Sequence, residues 1–468
     1  MPPESSSLGS LARAVRTRRV SSVELVRAAL ERIAADRLNA VVAIRADEAL
    51  ADARRVDRAV RAGRRLGPLA GLPALIKDTE DVAGMRTTHG SLLHAEDSPA
   101  GADGLVTRRL RAAGAVVVGK TNAPEFAFEG YTANRVFGAT GNPWRPEWSP
   151  GGSSGGSGAA LAAALAPIAT AGDGGGSIRI PAALCGLAGL KPTAGVVGRE
   201  PIPDWIDLTT AGPLATSVAD VALLLRVLAG PTPGDPTAQD RWRLGPTTMP
   251  RRAFALASFD SGVRLGRPVA AMFDAALRAV EGDLRMRVKR LESRDVIASG
   301  YQTADWFRIA GPEQLHALGE DRLTRHADRL DPVFRRAMEL AATIPARDHI
   351  EARRRRFAYS RAIDDLLGDD AVLLTPTLTV EGWFADGRLP DRDRPGLPSE
   401  VFNTELANLT GHPALSLPAG RYASGVPFGL QVIGPRYREA LLIGFGRAWE
   451  RARPWPEVAD GFTPFAAR

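Results

Sequence analysis

The chain has 468 residues, of which 44% are hydrophobic and 24% charged, with a formal net charge of +7. Those values describe a globular protein with ample core and exclude collagen-like, low-complexity and intrinsically disordered chains. The single cysteine, Cys185, excludes an internal disulfide, and no basic-then-apolar leader or bilayer-length apolar run of roughly 20 residues is found, so the expectation is a cytoplasmic protein with no membrane partner.

In chain order, Met1 to Ser10 is polar and is read as disordered. Ser21-Ser22-Val23-Glu24 is a capping box ahead of residues 25–33, so the first 60 residues are read as helical. Residues 71–77 and 115–120 are short apolar runs that read as buried strands, with a helix between them near 105–113. Two Gly/Ser segments follow. Ser217-Val218-Ala219-Asp220 then opens an apolar helix through Leu228, and residues 230–247, rich in Pro, Gly and Asp, read as a surface crossing. Residues 265–368 are helical and Arg-rich. Residues 371–374 form a strand, and 402–420 and 428–434 return to the strand-and-glycine style of the first half. There is no internal repeat. One domain over 1–468 is expected, with an N-terminal helical part (1–65), a catalytic core (66–230), a helical covering region (231–370) and a C-terminal return to the core sheet (371–468).

The chemistry is concentrated in the two Gly/Ser segments, Gly151-Gly152-Ser153-Ser154-Gly155-Gly156-Ser157 and Asp173-Gly174-Gly175-Gly176-Ser177-Ile178-Arg179, which place Ser177 twenty-four residues after Ser153. Each puts a serine hydroxyl into backbone almost free of side chains, where a carbonyl can approach amide N–H groups closely, as a nucleophile with an oxyanion hole requires. A flexible linker is the bland alternative, but both segments are embedded in apolar sequence. A phosphate loop needs Gly-Lys-Ser/Thr, and neither segment contains lysine. Gly151 to Gly155 also fits the Gly-x-Ser-x-Gly elbow of α/β-hydrolases, which would make Ser153 the nucleophile. That elbow needs a strand before it, and Pro143, Pro146 and Pro150 argue against one.

Only four of the 60 basic residues are lysine: Lys77, Lys120, Lys191 and Lys289. Arginine stays protonated, whereas a buried lysine can lose its proton and act as a base. Lys77, ending a buried strand, is placed for that role; Lys120 and Lys191 are read as snorkelling or ion-paired. The six histidines show no metal-ligand spacing, so no metal and no cofactor are expected. Nucleic-acid binding is not expected either. Arg353 to Arg356 lies between acidic residues in a stretch that reads as an amphipathic helix, and no aromatic residues interleave the arginines.

These motifs, in this order and spacing, resemble the amidase signature family over nearly the whole chain. The matching stretches are residues 71–84 around Lys77, Lys120-Thr121-Asn122-Ala123-Pro124-Glu125-Phe126, Asn142-Pro143-Trp144, 149–157 and 173–193. Looser matches are Gly212-Pro213, 217–220 and Asn408-Leu409-Thr410-Gly411-His412-Pro413-Ala414. The resemblance implies an α/β fold, a central mixed β-sheet surrounded by helices. It implies Ser177 as nucleophile, Ser153 after a cis Gly152–Ser153 peptide as bridge, Lys77 as base, and the N–H groups of Gly174, Gly175, Gly176 and Ser177 as oxyanion hole. Phe126, Tyr131 and Ile180 are the implied substrate-binding residues.

Where the family often carries hydroxyl-bearing residues ahead of Gly-Gly-Ser, this chain has Ala171-Gly172-Asp173-Gly174, which is expected to widen or dry the space beside the oxyanion hole. The implied activity is hydrolysis of a small-molecule carboxylic amide (an anilide, aliphatic amide or carbamate) by a monomer or homodimer. Two alternatives stand beside it. One is a protein like the glutamine-using component of a tRNA-amidating amidotransferase complex; the other is an α/β-hydrolase esterase using Ser153 and His412. In the amidotransferase pattern glutamine follows Ser-Ile-Arg; here Ile180 does, which favours a hydrolase.

Overall fold

The computed structural model describes residues 7–297, 302–390 and 403–466. Its strands, in chain order, are β1 (Val41–Ile44), β2 (Pro73–Lys77), β3 (Val116–Thr121), β4 (Ala133–Asn134), β5 (Gly138–Ala139), β6 (Ile168–Asp173), β7 (Ala188–Lys191), β8 (Thr210–Ala215), β9 (Arg252–Leu256), β10 (Val288–Leu291), β11 (Ala371–Pro376), β12 (Ala414–Arg421) and β13 (Pro427–Ile433). Eleven of them form one mixed sheet in the order β1-β3-β2-β6-β8-β7-β12-β13-β11-β9-β10, while β4 and β5 pair alone. Helices flank the sheet, which is the mixed α/β architecture expected.

The part of the sheet that positions the site is β3-β2-β6. These strands run parallel, with Ile76 opposite Lys120 and Leu75 opposite Ala169, so Lys77 and Asp173 finish on the same edge. Ligand crevices form outside the carboxyl ends of such strands. All of β2 and β3 is buried, so these strands read as continuous apolar runs rather than alternating ones.

Two central helices carry the Gly/Ser chemistry. Gly155–Ala162 and Arg179–Cys185 are buried at every position. Small residues let them approach other backbone: a Cβ at Gly156 would collide with Asn122, and one at Gly158 would lie 3.0 Å from Pro181 Cβ.

Several expectations are corrected. Leu8–Arg16 is a helix whose Ser7 N-cap accepts from Ser10 N, so Leu8 to Ser10 is ordered; residues 1–6 lie outside the described residues. The first 60 residues are helical except for β1, which adds antiparallel to β3. The Arg-rich helical stretch contains β10, paired parallel with β9. Lys191 ends a strand, β7, and is fully buried there. Phe402 lies outside the described residues, and the return to the sheet begins with the helix Glu405–Thr410. The capping box at Ser21 and Glu24 forms as read, with both reciprocal hydrogen bonds in place.

Candidate active site

Lys77 is the last residue of β2, and Thr170 Oγ1 of β6 accepts from its backbone N–H at 2.8 Å. Its side chain is 3% exposed, and Nζ lies 2.7 Å from Ser153 Oγ. Burial pushes the lysine down to about 7, against opposing pulls from the Glu80 and Asp173 carboxylates. A large share of such a lysine is neutral at ordinary pH, which a base requires. Of the three serines in the first segment only Ser153 meets the lysine; Ser154 donates to Gly172 O and Ser157 to Thr170 O. The Gly152–Ser153 peptide is cis, and a Cβ at Gly152 would come 2.6 Å from the carbonyl oxygens of both Glu129 and Tyr131.

The second segment leaves β6 and turns into the helix Arg179–Cys185. Three of its carbonyls are taken: Gly174 O accepts from Trp306 Nε1 at 2.8 Å, Gly175 O from Thr404 Oγ1 at 2.6 Å, and Gly176 O from Ile180 N at 2.7 Å. The backbone N–H groups of Gly174, Gly175, Gly176 and Ser177 have no acceptor among the described residues. Nor has the Ser177 hydroxyl a partner there, and Ser177 borders the cavity. Gly176 has φ +139° and its missing Cβ would meet Thr404 Oγ1 at 2.5 Å, so the turn is built for glycine twice over.

Beneath the loop lies a buried network that the motif reading missed. Asp173 Oδ1 and Oδ2 accept from Arg179 Nη2 and Nε at 2.8 and 2.9 Å, and Asn408 Nδ2 donates to Asp173 Oδ1 at 2.9 Å. Arg179 also donates to Thr404 O, Gln431 Oε1 and Asn408 Oδ1. Burial alone would raise the Asp173 carboxyl, but the Arg179 charge and these hydrogen bonds outweigh it and hold the group down to about 2. Breaking such a buried pair on one side costs roughly 3–5 kcal/mol, so the network fixes the loop's position. Asp173 and Arg179 flank the Gly-Gly-Gly-Ser run, and that flanking was the available signal.

Lys77, Ser153, Asp173, Gly174 and Ser177 border a cavity of about 220 Å³. Its walls include Glu80, His89, Leu105, Val106, Phe126 and Trp205, with Pro201, Ile202 and Asp204 toward the rim. Phe126 is therefore at the cavity. Tyr131 and Ile180 are not among the lining residues. Ile180, 2% exposed, packs beneath the two loops, near Gly151 and Gly176; Tyr131 packs against Trp383 and Gly387. Phe128 sits behind the wall, edge-on to Trp205 and Phe334.

Of the expected widening or drying beside the Gly174–Ser177 loop, the widening does not occur. A Cβ at Gly174 would collide with the Trp205 ring and lie 2.8 Å from Thr209 Oγ1, so an indole and a hydroxyl from another segment fill that space.

Among the remaining candidates, Lys120 is ion-paired with Asp78 at 2.9 Å and donates to Arg86 O and Thr87 Oγ1. His412 Nε2 lies 3.1 Å from Asp364 Oδ1, away from the cavity, so the structure does not bring it to Ser153, and no strand runs directly into Gly151. No group of three or more His, Cys, Asp or Glu side chains that could hold a metal occurs among the described residues. Nor is any helix among them long and apolar enough to cross a membrane.

Comparison with known proteins gives a consistent result. The profile of the family described as Amidase matches residues 24–443. A glutamyl-tRNA(Gln) amidotransferase component from Synechococcus sp. (strain CC9605) is 34% identical, over 92% of this chain and 93% of its own. A putative amidase, AmiB2, from Mycobacterium tuberculosis (strain ATCC 25618 / H37Rv) is 36% identical over 89% of each. The crystal structure of a bacterial aryl acylamidase belonging to the amidase signature enzymes superposes with a TM-score of 0.86 at 27% identity, covering 96% of both chains.

Proposed function

We propose, from the premise that this chain belongs to the amidase signature family, that it is a free-standing amidohydrolase working through an acyl-enzyme on Ser177. The observation that carries the reading is the 2.7 Å contact between Lys77 Nζ and Ser153 Oγ. It joins a lysine brought to about 7 by burial to a hydroxyl on the same cavity as Ser177.

In this reading Ser177 Oγ attacks the substrate carbonyl while its proton passes to Ser153, whose own proton passes to Lys77. The tetrahedral oxyanion faces the N–H groups from Gly174 to Ser177, and removal of one good donor of this kind typically costs about 3–4 kcal/mol in the transition state. Collapse breaks the C–N bond, and the departing nitrogen takes the proton back from Lys77 through Ser153. Water then attacks the acyl carbonyl, the same relay accepts its proton, and Ser177 is released with the acid.

The apolar wall of Leu105, Val106, Phe126 and Trp205 favours aryl or bulky apolar amides over acetamide, and the aryl acylamidase relationship points the same way. Carbamates present the same carbonyl and nitrogen leaving group. The relatives named as parts of a tRNA amidotransferase support a second reading, that the chain releases ammonia from glutamine inside a complex.

A serine-reactive phosphonate followed by peptide mass spectrometry tests the nucleophile, with the adduct expected on Ser177. An adduct on Ser153 alone would overturn the mechanism. A panel of chromogenic anilides, carbamates, esters and primary amides, with glutamine included, tests the class. Anilide kcat/KM above that for glutamine supports the hydrolase, and the reverse order supports the amidotransferase.

A further inference from the structure

Most charged groups around the cavity carry their own counterion. Asp173 is held by Arg179 at 2.8 Å, Asp78 by Lys120 at 2.9 Å, Arg199 by Asp235 at 3.2 Å and Glu200 by Arg108 at 2.6 Å. Two carboxylates are exceptions: Asp204, exposed at the rim, accepts only from the neutral amide Nε2 of Gln314 at 2.9 Å, and Glu80 is paired with nothing among the described residues. It borders the same cavity as Lys77, Ser153 and Ser177, yet its carboxylate makes no hydrogen bond and no ion pair among the described residues. Leu105 and Val106, both buried and apolar, line the same cavity, and the Lys77 and Lys120 charges act on Glu80 without contacting it. Glu80 is only partly buried, so water reaches its carboxylate in the free protein, and a ligand that displaces this water must supply donors in its place or leave the charge unpaired.

We infer that Glu80 is the cation-recognition group of this cavity, so that the amides taken best carry a protonated amine positioned to meet it. The inference rests on the amidohydrolase reading above and names its substrate class. An ammonium brings up to three donors and a full charge, and a charge-assisted pair away from bulk water is roughly twice as strong as a neutral hydrogen bond. Burial pushes the Glu80 carboxyl up to about 7, with the Lys77 and Lys120 charges only partly offsetting it.

Two structural roles compete. Glu80 Oε2 lies 3.5 Å from where a Cβ of Gly104 would stand, at the start of the helix Leu105–Ala112, so the side chain could serve that helix end. It also pulls on the Lys77 proton. Glutamine in its place keeps the shape at the helix and removes the charge. At a pH where Lys77 is neutral in wild type and variants alike, a shift in its protonation does not alter the relative binding of a cation and a neutral ligand, whereas recognition by Glu80 does.

The test is equilibrium binding by calorimetry at pH 8.5, where the Glu80 carboxyl is ionised and benzylamine is still protonated. Benzylammonium, benzyl alcohol and benzoate are titrated into wild type, Glu80→Gln and Glu80→Asp. Wild type should bind benzylammonium at least about tenfold more tightly than benzyl alcohol, with benzoate weakest. Glu80→Gln should bring the first two within about threefold, and Glu80→Asp, which restores the charge, should keep most of the preference. Equal binding of ammonium and alcohol by wild type, or an unchanged ratio in Glu80→Gln, overturns the inference. Because binding needs no turnover, a preparation that hydrolyses nothing in the amide panel refutes the amidohydrolase reading, while the binding ratio still decides the role of Glu80.

Discussion

Lys77 and Lys191 are nearly the same residue in physical terms. Each ends a buried strand, β2 or β7, each is at most 3% exposed, and burial brings each down to about 7. Their surroundings differ. Lys77 faces the Ser153 hydroxyl on a cavity, whereas Lys191 donates to the carbonyl of Pro192 at 2.9 Å and borders no part of that cavity. Desolvation therefore makes a lysine able to be a base, and the neighbour decides whether it is one. A carbonyl can only accept, so a lysine against it has no proton to take.

The largest effect that can break this comparison is removal of the proposed nucleophile. Ser177→Ala should lower kcat by about 10⁴-fold or more, and adding Lys77→Arg should cost almost nothing further, because residues of one relay are strongly non-additive. Independent losses from the two substitutions would separate Lys77 from the reaction.

Next, Lys77→Arg alone should lose about 10²–10⁴-fold in kcat with the fold intact by circular dichroism, since guanidinium cannot give up its proton. Lys191→Met, at an equally buried site, should stay within about fivefold. Comparable losses at both would mean that burial, not the serine, is what matters.

The pH profile sharpens the contrast. In the proposed relay Lys77 accepts a proton only when neutral, so kcat/KM should fall about tenfold per pH unit below 7 and level off by about pH 8. Lys191→Met should leave that inflection where it is, and a displaced inflection would show the two lysines to be coupled.

A smaller effect lies in stability. A lysine whose folded value is about 7 and whose unfolded value is near 10.5 binds more protons unfolded, so stability rises with pH between those limits. The slope is at most about 1.4 kcal/mol per pH unit for one such group. Urea midpoints at pH 7, 8 and 9 should rise less steeply in Lys191→Met than in wild type; identical slopes would contradict a depressed value at Lys191. Lys289→Arg, on the exposed face of β10, should be silent in every assay.

The elements read correctly from sequence are those whose local signals agree with their final setting. The capping box at Ser21, the apolar runs ending at Lys77 and Lys120, and the helix opened by Ser217 all form. Most of the strands that were missed lack such signals, although β1, Val41-Val42-Ala43-Ile44, carries one. β6, β7 and β8 are rich in Gly, Ala and Pro and become strands because the sheet on both sides buries them. β10 is a four-residue edge strand inside a helical, Arg-rich stretch.

The site divides in the same way. The Gly/Ser loops and Lys77 are contiguous motifs, but Trp205 and Gln314 reach the cavity only through tertiary packing. Among the aromatic candidates near Lys120 periodicity could not separate Phe126, on the cavity, from Tyr131, behind it. Glu80 stood in plain view beside Lys77; its missing counterion is a property of the folded chain alone.

The four N–H donors from Gly174 to Ser177 belong to the main chain. No codon change to another residue, proline aside, can delete one of them. A mutation can only displace them, through Trp306 or Thr404, whose side chains hold the loop's carbonyls. Glu80, Leu105, Val106 and Phe126 are ordinary side chains, each replaceable by a single-nucleotide change. Heredity thus acts unevenly on this cavity: its main-chain donors are buffered against drift, while its side-chain wall is open to variation one residue at a time.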